Sequence, residues 1–201
     1  MQKAKPLLLL LLFPSLLFAQ QLPVPQLPSI AAKSYLLTDF FSRQVLVGQN
    51  IDGRIEPASL TKLMTAYLTF TALKQKQITL EQTFTVSTRA WRAEGSRMFI
   101  EPDKPVKVDD LIRGMVVQSG NDACVTLAEG IAGSEQAFTQ MMNSEAQRLG
   151  MKNTHFTNST GLPNPQHYST AYDLSLLATA IIRDFPEYYP LYSIKEYKYH
   201  N

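Results

Sequence analysis

The sequence predicts an α/β domain in which a mostly helical middle follows a short β-hairpin and precedes one late strand. Two runs of β-favouring residues lie close together near position 40, which is typical of a hairpin. Apolar residues then recur at helical spacing in several segments between positions 59 and 185. The composition, 45% hydrophobic and 18% charged in 201 residues, is that of a globular domain with its own core.

The predicted hairpin comprises residues 34–39 and 43–47, and the Asn-Ile-Asp-Gly sequence at 50–53 predicts a turn after it. Leucine, methionine and tyrosine residues then repeat every three or four positions, which predicts a helix over 59–73. Ser59 stands at the N-terminal end of that helix.

A short strand is predicted at 84–87, where apolar and β-branched residues alternate. Helical spacing resumes at 109–117 and is interrupted by Ser119-Gly120, and a second helix is expected from about residue 122. The interruption predicts a loop between two helices, where polar side chains can face a cleft.

Two further helices have recognisable starts. Ser134 is a candidate N-cap for a helix that stops at Gly150, and Thr170 opens a capping-box sequence before a helix that ends near residue 185. Residues 194–199 are predicted to form a late strand. We therefore expect a sheet with few strands.

Residues 1–19 are typical of a secretory signal peptide, because Lys3 and Lys5 precede an apolar run of roughly twelve residues. A membrane-spanning helix needs about 20 such residues. An uncleaved N-terminal anchor is the alternative interpretation of this segment. We expect cleavage after Ala19, a Pro-rich extended linker over 20–33 and one domain over 34–201. The leader predicts export to the periplasm or to the outer face of the cytoplasmic membrane.

The formal net charge of +2 falls to about zero once the leader is removed, so the charge balance does not favour a nucleic-acid partner. Cys124 is the only cysteine, which excludes an intramolecular disulfide, and we expect it to be a buried helix residue. His155 and His167 have no companion at metal-ligand spacing, so no metal site is predicted. We expect His167 to shape the edge of a cleft.

Ser59 and Lys62 form an S-x-x-K tetrad at the start of a predicted helix. Residues three apart share a helix face, with Cβ atoms about 5–6 Å apart. A lysine amine can then take the serine proton as the hydroxyl attacks a carbonyl, and the helix N-terminus favours the negative charge that develops there. A short motif of this kind also occurs by chance, and Ser59 could serve only as a helix cap.

Ser119 and Asn121 lie at the predicted junction of two helices, about 60 residues downstream. A second serine there can relay a proton, and an amide can orient both Lys62 and a substrate carbonyl. A helix-breaking loop would contain the same residue types. The two motifs in this order, each at a helix terminus, form the pair that S-x-x-K serine enzymes use.

Longer sequence strings that contain or surround these two motifs are more specific than the short motifs alone. They are PASLTK at 57–62, SRMF at 96–99, SGNDA at 119–123, and NSTGLP at 158–163 with HYST at 167–170. In these strings the chain, from about residue 34 to its end, resembles the low-molecular-mass penicillin-binding proteins that are D-alanyl-D-alanine carboxypeptidases. The resemblance implies a penicillin-recognising serine peptidase or β-lactamase-like fold, an antiparallel sheet flanked by helices with a mostly helical subdomain.

By this resemblance Ser59 is the acyl-ester nucleophile, Lys62 is the proton acceptor, and Ser119 and Asn121 complete the second motif. The implied activity removes the terminal D-alanine from peptidoglycan stem pentapeptides through an acyl-enzyme. Penicillins, which resemble the D-alanyl-D-alanine dipeptide, would acylate the same serine. The resemblance implies no metal or organic cofactor, and a membrane contact only through a C-terminal anchor that these 201 residues do not contain.

The third motif of this family, Lys-Thr-Gly or His-Thr-Gly, does not occur in the 201 residues. In relatives its strand supplies an oxyanion-hole N–H and a cation for the substrate carboxylate. Loss of one oxyanion donor typically lowers the rate by about 10²–10³. We therefore expect a C-terminally truncated family member, with strands of the sheet missing and with impaired turnover.

Three alternatives remain at this point. A D-alanyl endopeptidase that cuts cross-links would share every motif. A class A β-lactamase would need a glutamate-bearing loop, and no glutamate occurs between residues 146 and 186. A non-catalytic wall-binding or regulatory fragment would keep the fold without the third motif.

Overall fold

The structure, a computed structural model, describes residues 30–199. The chain divides into residues 1–31 and 32–201, and every helix and strand of the described residues belongs to the second unit. The predicted signal peptide at 1–19 and the linker up to residue 29 lie outside the described residues. Within the described part, each helix is too short or too polar to cross a lipid bilayer.

Most elements follow one another closely, and the longest connection, residues 149–170, lies between the last two helices. In chain order they are strands β1 (Tyr35–Thr38) and β2 (Val45–Gln49), a 3₁₀ turn (Ala58–Thr61), helix α1 (Lys62–Lys74), strand β3 (Thr83–Thr85), helix α2 (Thr88–Trp91), strand β4 (Pro105–Lys107), helices α3 (Val108–Gln118), α4 (Asn121–Ala132), α5 (Glu135–Arg148) and α6 (Ala171–Asp184), and a second 3₁₀ turn (Tyr189–Ser193).

The predicted hairpin is confirmed: β1 and β2 pair antiparallel, with Tyr35 opposite Gln49. A second two-stranded sheet pairs β3 with β4, with Phe84 opposite Val106. Strand β4 was not predicted, because three residues beginning with a proline carry too little pattern. Several large apolar side chains of the hairpin are exposed, and Phe41 at its turn is 91% exposed.

The predicted strand at residues 194–199 is wrong. The two sheets of the described residues consist of β1 with β2 and β3 with β4, and neither includes this segment. Alternating residues form a strand only where a neighbouring strand accepts their hydrogen bonds. The segment instead lies against α3, where the Tyr197 hydroxyl donates to the Asp110 carboxylate at 2.7 Å.

Helix α1 is the centre of the domain, because ten of its thirteen residues are buried. Helices α3, α4, α5 and α6 all pack against it. The largest fully buried side chains include Phe70 of α1, Met115 of α3 and Phe138 of α5, together with Phe156 from the connection that follows α5. The prediction that Cys124 is a buried helix residue is confirmed.

Both predicted N-caps are confirmed. Ser134 Oγ accepts from the Ala137 N–H at 3.1 Å, and Thr170 Oγ1 accepts from the Asp173 N–H at 3.0 Å. The helix break after α3 is a single residue in the left-handed region, Ser119, with φ of 55°. These caps and this break set the directions in which α4, α5 and α6 surround α1.

Candidate active site

Ser59 lies on the 3₁₀ turn that leads into α1, and Lys62 is the first residue of that helix. Lys62 Nζ donates to Ser59 Oγ at 3.2 Å, so the two side chains share one face, as the tetrad spacing predicts. The Ser59 side chain does not cap the helix, because the turn is entered from Pro57 without a side-chain cap. Ser59 is exposed and therefore accessible to a substrate.

Lys62 is only 8% exposed, and its amine also donates to the Thr160 carbonyl oxygen at 2.8 Å. Burial lowers the pKa of Lys62 below its ordinary value, because the charged amine loses hydration. Burial raises the pKa of Cys124 to about 12, so its thiol stays neutral at physiological pH.

Ser119 approaches the same oxygen from the break between α3 and α4. Its Oγ donates to Ser59 Oγ at 3.1 Å, across 60 residues of sequence. The left-handed conformation of Ser119 turns the chain so that its side chain reaches Ser59. Lys62 Nζ, Ser59 Oγ and Ser119 Oγ thus form a continuous chain of hydrogen bonds along which a proton can move.

Asn121 is the first residue of α4, and its hydrogen bonds go to residues 94–96. The backbone N–H donates to the Ser96 carbonyl at 2.7 Å, and Nδ2 donates to the Glu94 carbonyl at 2.6 Å. Its buried Oδ1 has no hydrogen-bond partner among the described residues. The side chain of Asn121 therefore bonds to Glu94 and not to the Lys62 amine, which donates to Ser59 and Thr160, so the expectation that Asn121 orients Lys62 is wrong.

Asp122 holds the SRMF string beside the site, a role that we did not predict. Its carboxylate accepts from the backbone N–H groups of Met98 at 3.0 Å and of Ile100 at 3.3 Å. The carboxylate lies in the first turn of α4, where the helix dipole favours a negative charge. The signal in the sequence was an aspartate directly after the S-x-N motif, which can also be interpreted as an ordinary first-turn acid.

The NSTGLP string forms the opposite wall, and a buried glutamate holds it there. Glu135 accepts from the Ser159 N–H at 2.9 Å and from Ser159 Oγ at 2.7 Å, and it pairs with Arg89. Thr65 Oγ1 donates to the Ser159 carbonyl at 2.7 Å. These bonds fix the peptide whose next carbonyl, that of Thr160, accepts from Lys62. Nothing in the sequence distinguished Glu135 from an acid that only complements a helix N-terminus.

His167 does not shape a cleft edge, and that expectation is wrong. The side chain is 3% exposed and lies under the 3₁₀ turn, with Nε2 2.8 Å from Thr61 Oγ1. Phe156 packs edge-on against the ring, with the two ring centroids 5.7 Å apart, and helps to enclose it. Burial lowers the pKa of His167 to about 4. Across residues 30–199, no three His, Cys, Asp or Glu side chains form a metal-binding group.

The comparisons with known proteins agree on one family. The sequence profile of peptidase S11, D-alanyl-D-alanine carboxypeptidase, matches residues 21–201. The Escherichia coli D-alanyl-D-alanine carboxypeptidase DacC is 41% identical over 196 residues, which are 94% of this chain and 49% of DacC. The chain thus spans about half the length of the curated relatives that it matches.

Solved structures give the same result. Penicillin-binding protein 5 of Haemophilus influenzae superposes with a TM-score of 0.85 at 42% identity, over 88% of this chain and 52% of that protein. Penicillin-binding protein D2 of Listeria monocytogenes, solved with ampicillin bound, has a TM-score of 0.72 at 30% identity, over 82% of this chain and 66% of that protein.

Proposed function

The chain belongs to the peptidase S11 family of D-alanyl-D-alanine carboxypeptidases and has their serine-peptidase fold, and from this we propose that it removes the terminal D-alanine from peptidoglycan stem pentapeptides. The observation that carries the proposal is the position of Ser59 Oγ. It lies 3.2 Å from Lys62 Nζ and 3.1 Å from Ser119 Oγ on an exposed turn. A serine oxygen between an amine and a second hydroxyl is arranged for acyl transfer.

In the first step Ser59 Oγ attacks the carbonyl carbon between the last two D-alanines, and its proton passes to the unprotonated Lys62 amine. The tetrahedral intermediate then collapses, and the C–N bond to the terminal D-alanine breaks. The Lys62 ammonium gives the proton that it took from Ser59 to the leaving nitrogen, with the Ser119 hydroxyl as the relay between them. An ester on Ser59 and free D-alanine result.

In the second step water attacks the ester carbon, and the same Lys62 amine accepts the water proton. The ester C–O bond breaks, the proton returns to Ser59, and the shortened stem peptide leaves. Both steps use Lys62 unprotonated at the start. A solvated lysine is unprotonated in roughly one molecule in 2,500 at pH 7, so the burial that lowers the pKa of Lys62 supports this role.

We assign Asn121 to substrate orientation. Its Nδ2 bond to the Glu94 carbonyl fixes the plane of the amide at the start of α4, two residues after Ser119.

Penicillins carry a strained amide that resembles the scissile bond, and we propose that they acylate Ser59 as well. The substrate lies in the cell wall, so the proposal requires export, which the leader at residues 1–19 predicts. The expected impaired turnover of the 201 residues stays a prediction, and release of D-alanine from a pentapeptide measures it.

The experiment that tests this function incubates the full chain with benzylpenicillin and measures the intact mass. We expect one penicillin per chain, and no adduct in Ser59→Ala with an unchanged circular dichroism spectrum. A monomeric pentapeptide assayed beside a cross-linked dimer then separates carboxypeptidase from endopeptidase. A folded chain without any adduct would contradict the proposal and favour a non-catalytic wall-binding protein.

A further inference from the structure

The turn that carries Ser59 is strained at the residue before it. Ala58 has φ of 46°, in the left-handed region, which costs a non-glycine residue roughly 1–2 kcal/mol. Such a conformation persists only where the surroundings hold it. The turn has no side-chain cap of its own, since Pro57 is its N-cap. Within the turn, the Leu60 N–H donates to the Pro57 carbonyl at 3.0 Å, and further support comes from elsewhere in the chain.

One tertiary hydrogen bond reaches the turn from beneath. Thr61, between Ser59 and Lys62, is fully buried, and its Oγ1 lies 2.8 Å from His167 Nε2. The contact joins positions 106 residues apart. Because Thr61 and Lys62 are consecutive, a displacement of Thr61 moves both the turn and the first residue of α1.

The hydrogen bonds of the His167 ring fix its tautomer. The backbone N–H of Thr157 donates to His167 Nδ1 at 3.1 Å, so Nδ1 is an acceptor and carries no proton. The proton of the neutral ring is then on Nε2, and it is donated to Thr61 Oγ1. The low pKa of His167, caused by burial and secondarily by the nearby His155, keeps the ring in this neutral form at physiological pH.

We propose that His167 is a positioning residue for acylation, which holds Thr61 through its neutral Nε2–H tautomer and so presents Ser59 to Lys62. The inference rests on the proposed function. His167 does not touch the reacting atoms, and its effect passes entirely through Thr61. An apolar ring of similar shape would leave the Thr61 hydroxyl and the Thr157 N–H without partners in a buried place.

The test compares the rate constants for acylation of the 201-residue chain and its variants by a fluorescent penicillin. His167→Phe keeps a planar ring without hydrogen-bonding atoms, and Thr61→Val removes the hydroxyl and keeps the shape. Because small misplacements of reacting groups lower rates by up to about 100-fold, we expect each variant to acylate about 10- to 100-fold more slowly. The loss should lie in the limiting rate rather than in the penicillin concentration at half-saturation.

Three comparisons identify the hydrogen bond as the cause. The double variant should be no slower than the slower single variant, because both remove the same contact. His167→Gln, whose amide can donate to Thr61, should recover most of the rate. His155→Gln is the matched histidine control and should acylate at the unmodified rate.

A spectroscopic measurement tests the tautomer independently of activity. In ¹⁵N NMR spectra of the unmodified chain, we expect His167 to be neutral with the proton on Nε2 and unchanged from pH 8 to pH 5.5. A protonated Nδ1, or a charged ring in this range, would overturn the inference. So would folded His167→Phe and Thr61→Val variants that acylate at the unmodified rate. If His167→Phe does not fold, the acylation rate of Thr61→Val alone tests the inference. Absence of any adduct on the unmodified chain would instead refute the proposed function.

Discussion

Gly161 packs directly against the backbone of Ala58, the residue before the proposed nucleophile. A Cβ atom at position 161 would overlap the Ala58 carbonyl oxygen and would crowd Thr61 Oγ1 at 2.9 Å. Gly161 also has φ of 88°, where side chains are disfavoured. The wall formed by NSTGLP and the turn that carries Ser59 therefore meet backbone to backbone, and the site depends on that contact.

Substitution of this glycine should separate the two segments. In Gly161→Ala, the new side chain is disfavoured by the positive φ, and its Cβ overlaps the Ala58 carbonyl oxygen. In Gly133→Ala, φ is similar, at 79°, but the space around the new Cβ is open. We expect Gly133→Ala to lower the free energy of unfolding by about 1–2 kcal/mol, and Gly161→Ala to lower it further and to slow penicillin acylation. Urea titration measures the loss in the free energy of unfolding, and the rate of labelling by penicillin measures the slower acylation. Equal losses in the two variants would show that the close approach is not a constraint.

Lys62 is expected to act as an unprotonated base. Lys62→Met should lower the acylation rate by about 10²–10⁴, the usual contribution of general base catalysis. In the unmodified chain the rate should rise with pH as Lys62 loses its proton, with a midpoint below the ordinary lysine value of 10.5 because burial lowers this pKa. A midpoint at or above that value, or a rate that Lys62→Met leaves unchanged, would exclude Lys62 as the base.

Glu135 should matter for the site although it lies outside it. Glu135→Ala leaves the Ser159 N–H and hydroxyl without their acceptor, at about 1–3 kcal/mol for each buried group. We expect lower stability and slower acylation, since the adjacent Thr160 carbonyl positions the Lys62 amine. Glu135→Gln retains an acceptor oxygen and is the control. If Glu135→Ala and Glu135→Gln are acylated at the same rate, the proposed role of Glu135 as the acceptor for Ser159 is refuted.

The buried His167 predicts a pH dependence of stability. Its folded pKa of about 4 lies below its ordinary value of 6.5, so between these values the unfolded chain binds more protons than the folded chain. The contribution of neutral His167 is complete above pH 6.5 and is lost as the pH falls towards 4. Between pH 7.5 and pH 4.5 we expect a larger drop in Tm for the unmodified chain than for His167→Gln. Identical drops in Tm for the two proteins would show that groups other than His167 cause the acid sensitivity.

The parts of the site that local geometry controls could be predicted from the sequence. The i, i+3 spacing of Ser59 and Lys62 on a helix is enough to bring an amine to a hydroxyl, and a Ser-Gly break after a helix is enough to turn Ser119 inward. The caps at Ser134 and Thr170 are equally local. Each of these features depends on residues within one helical turn.

The remainder depends on contacts between distant segments, which residue patterns do not specify. His167 meets Thr61 across 106 positions, and Glu135 meets Ser159 across 24. The strand predicted at 194–199 failed for the same reason, because pairing requires a neighbour that no local pattern reveals. The left-handed Ala58 was equally unpredictable, since an alanine disfavours that conformation unless the surrounding structure imposes it.

The central claim is that Ser59, between Lys62 and Ser119, is the nucleophile. The most direct measurement is digestion of the penicillin-treated chain and tandem mass spectrometry of the labelled peptide. We predict that the penicilloyl group is on Ser59 and that Ser119→Ala still carries it there, at a reduced rate. A label on Ser119 or on any other residue, or a Ser59→Ala variant that is labelled as fast as the unmodified chain, would contradict the account.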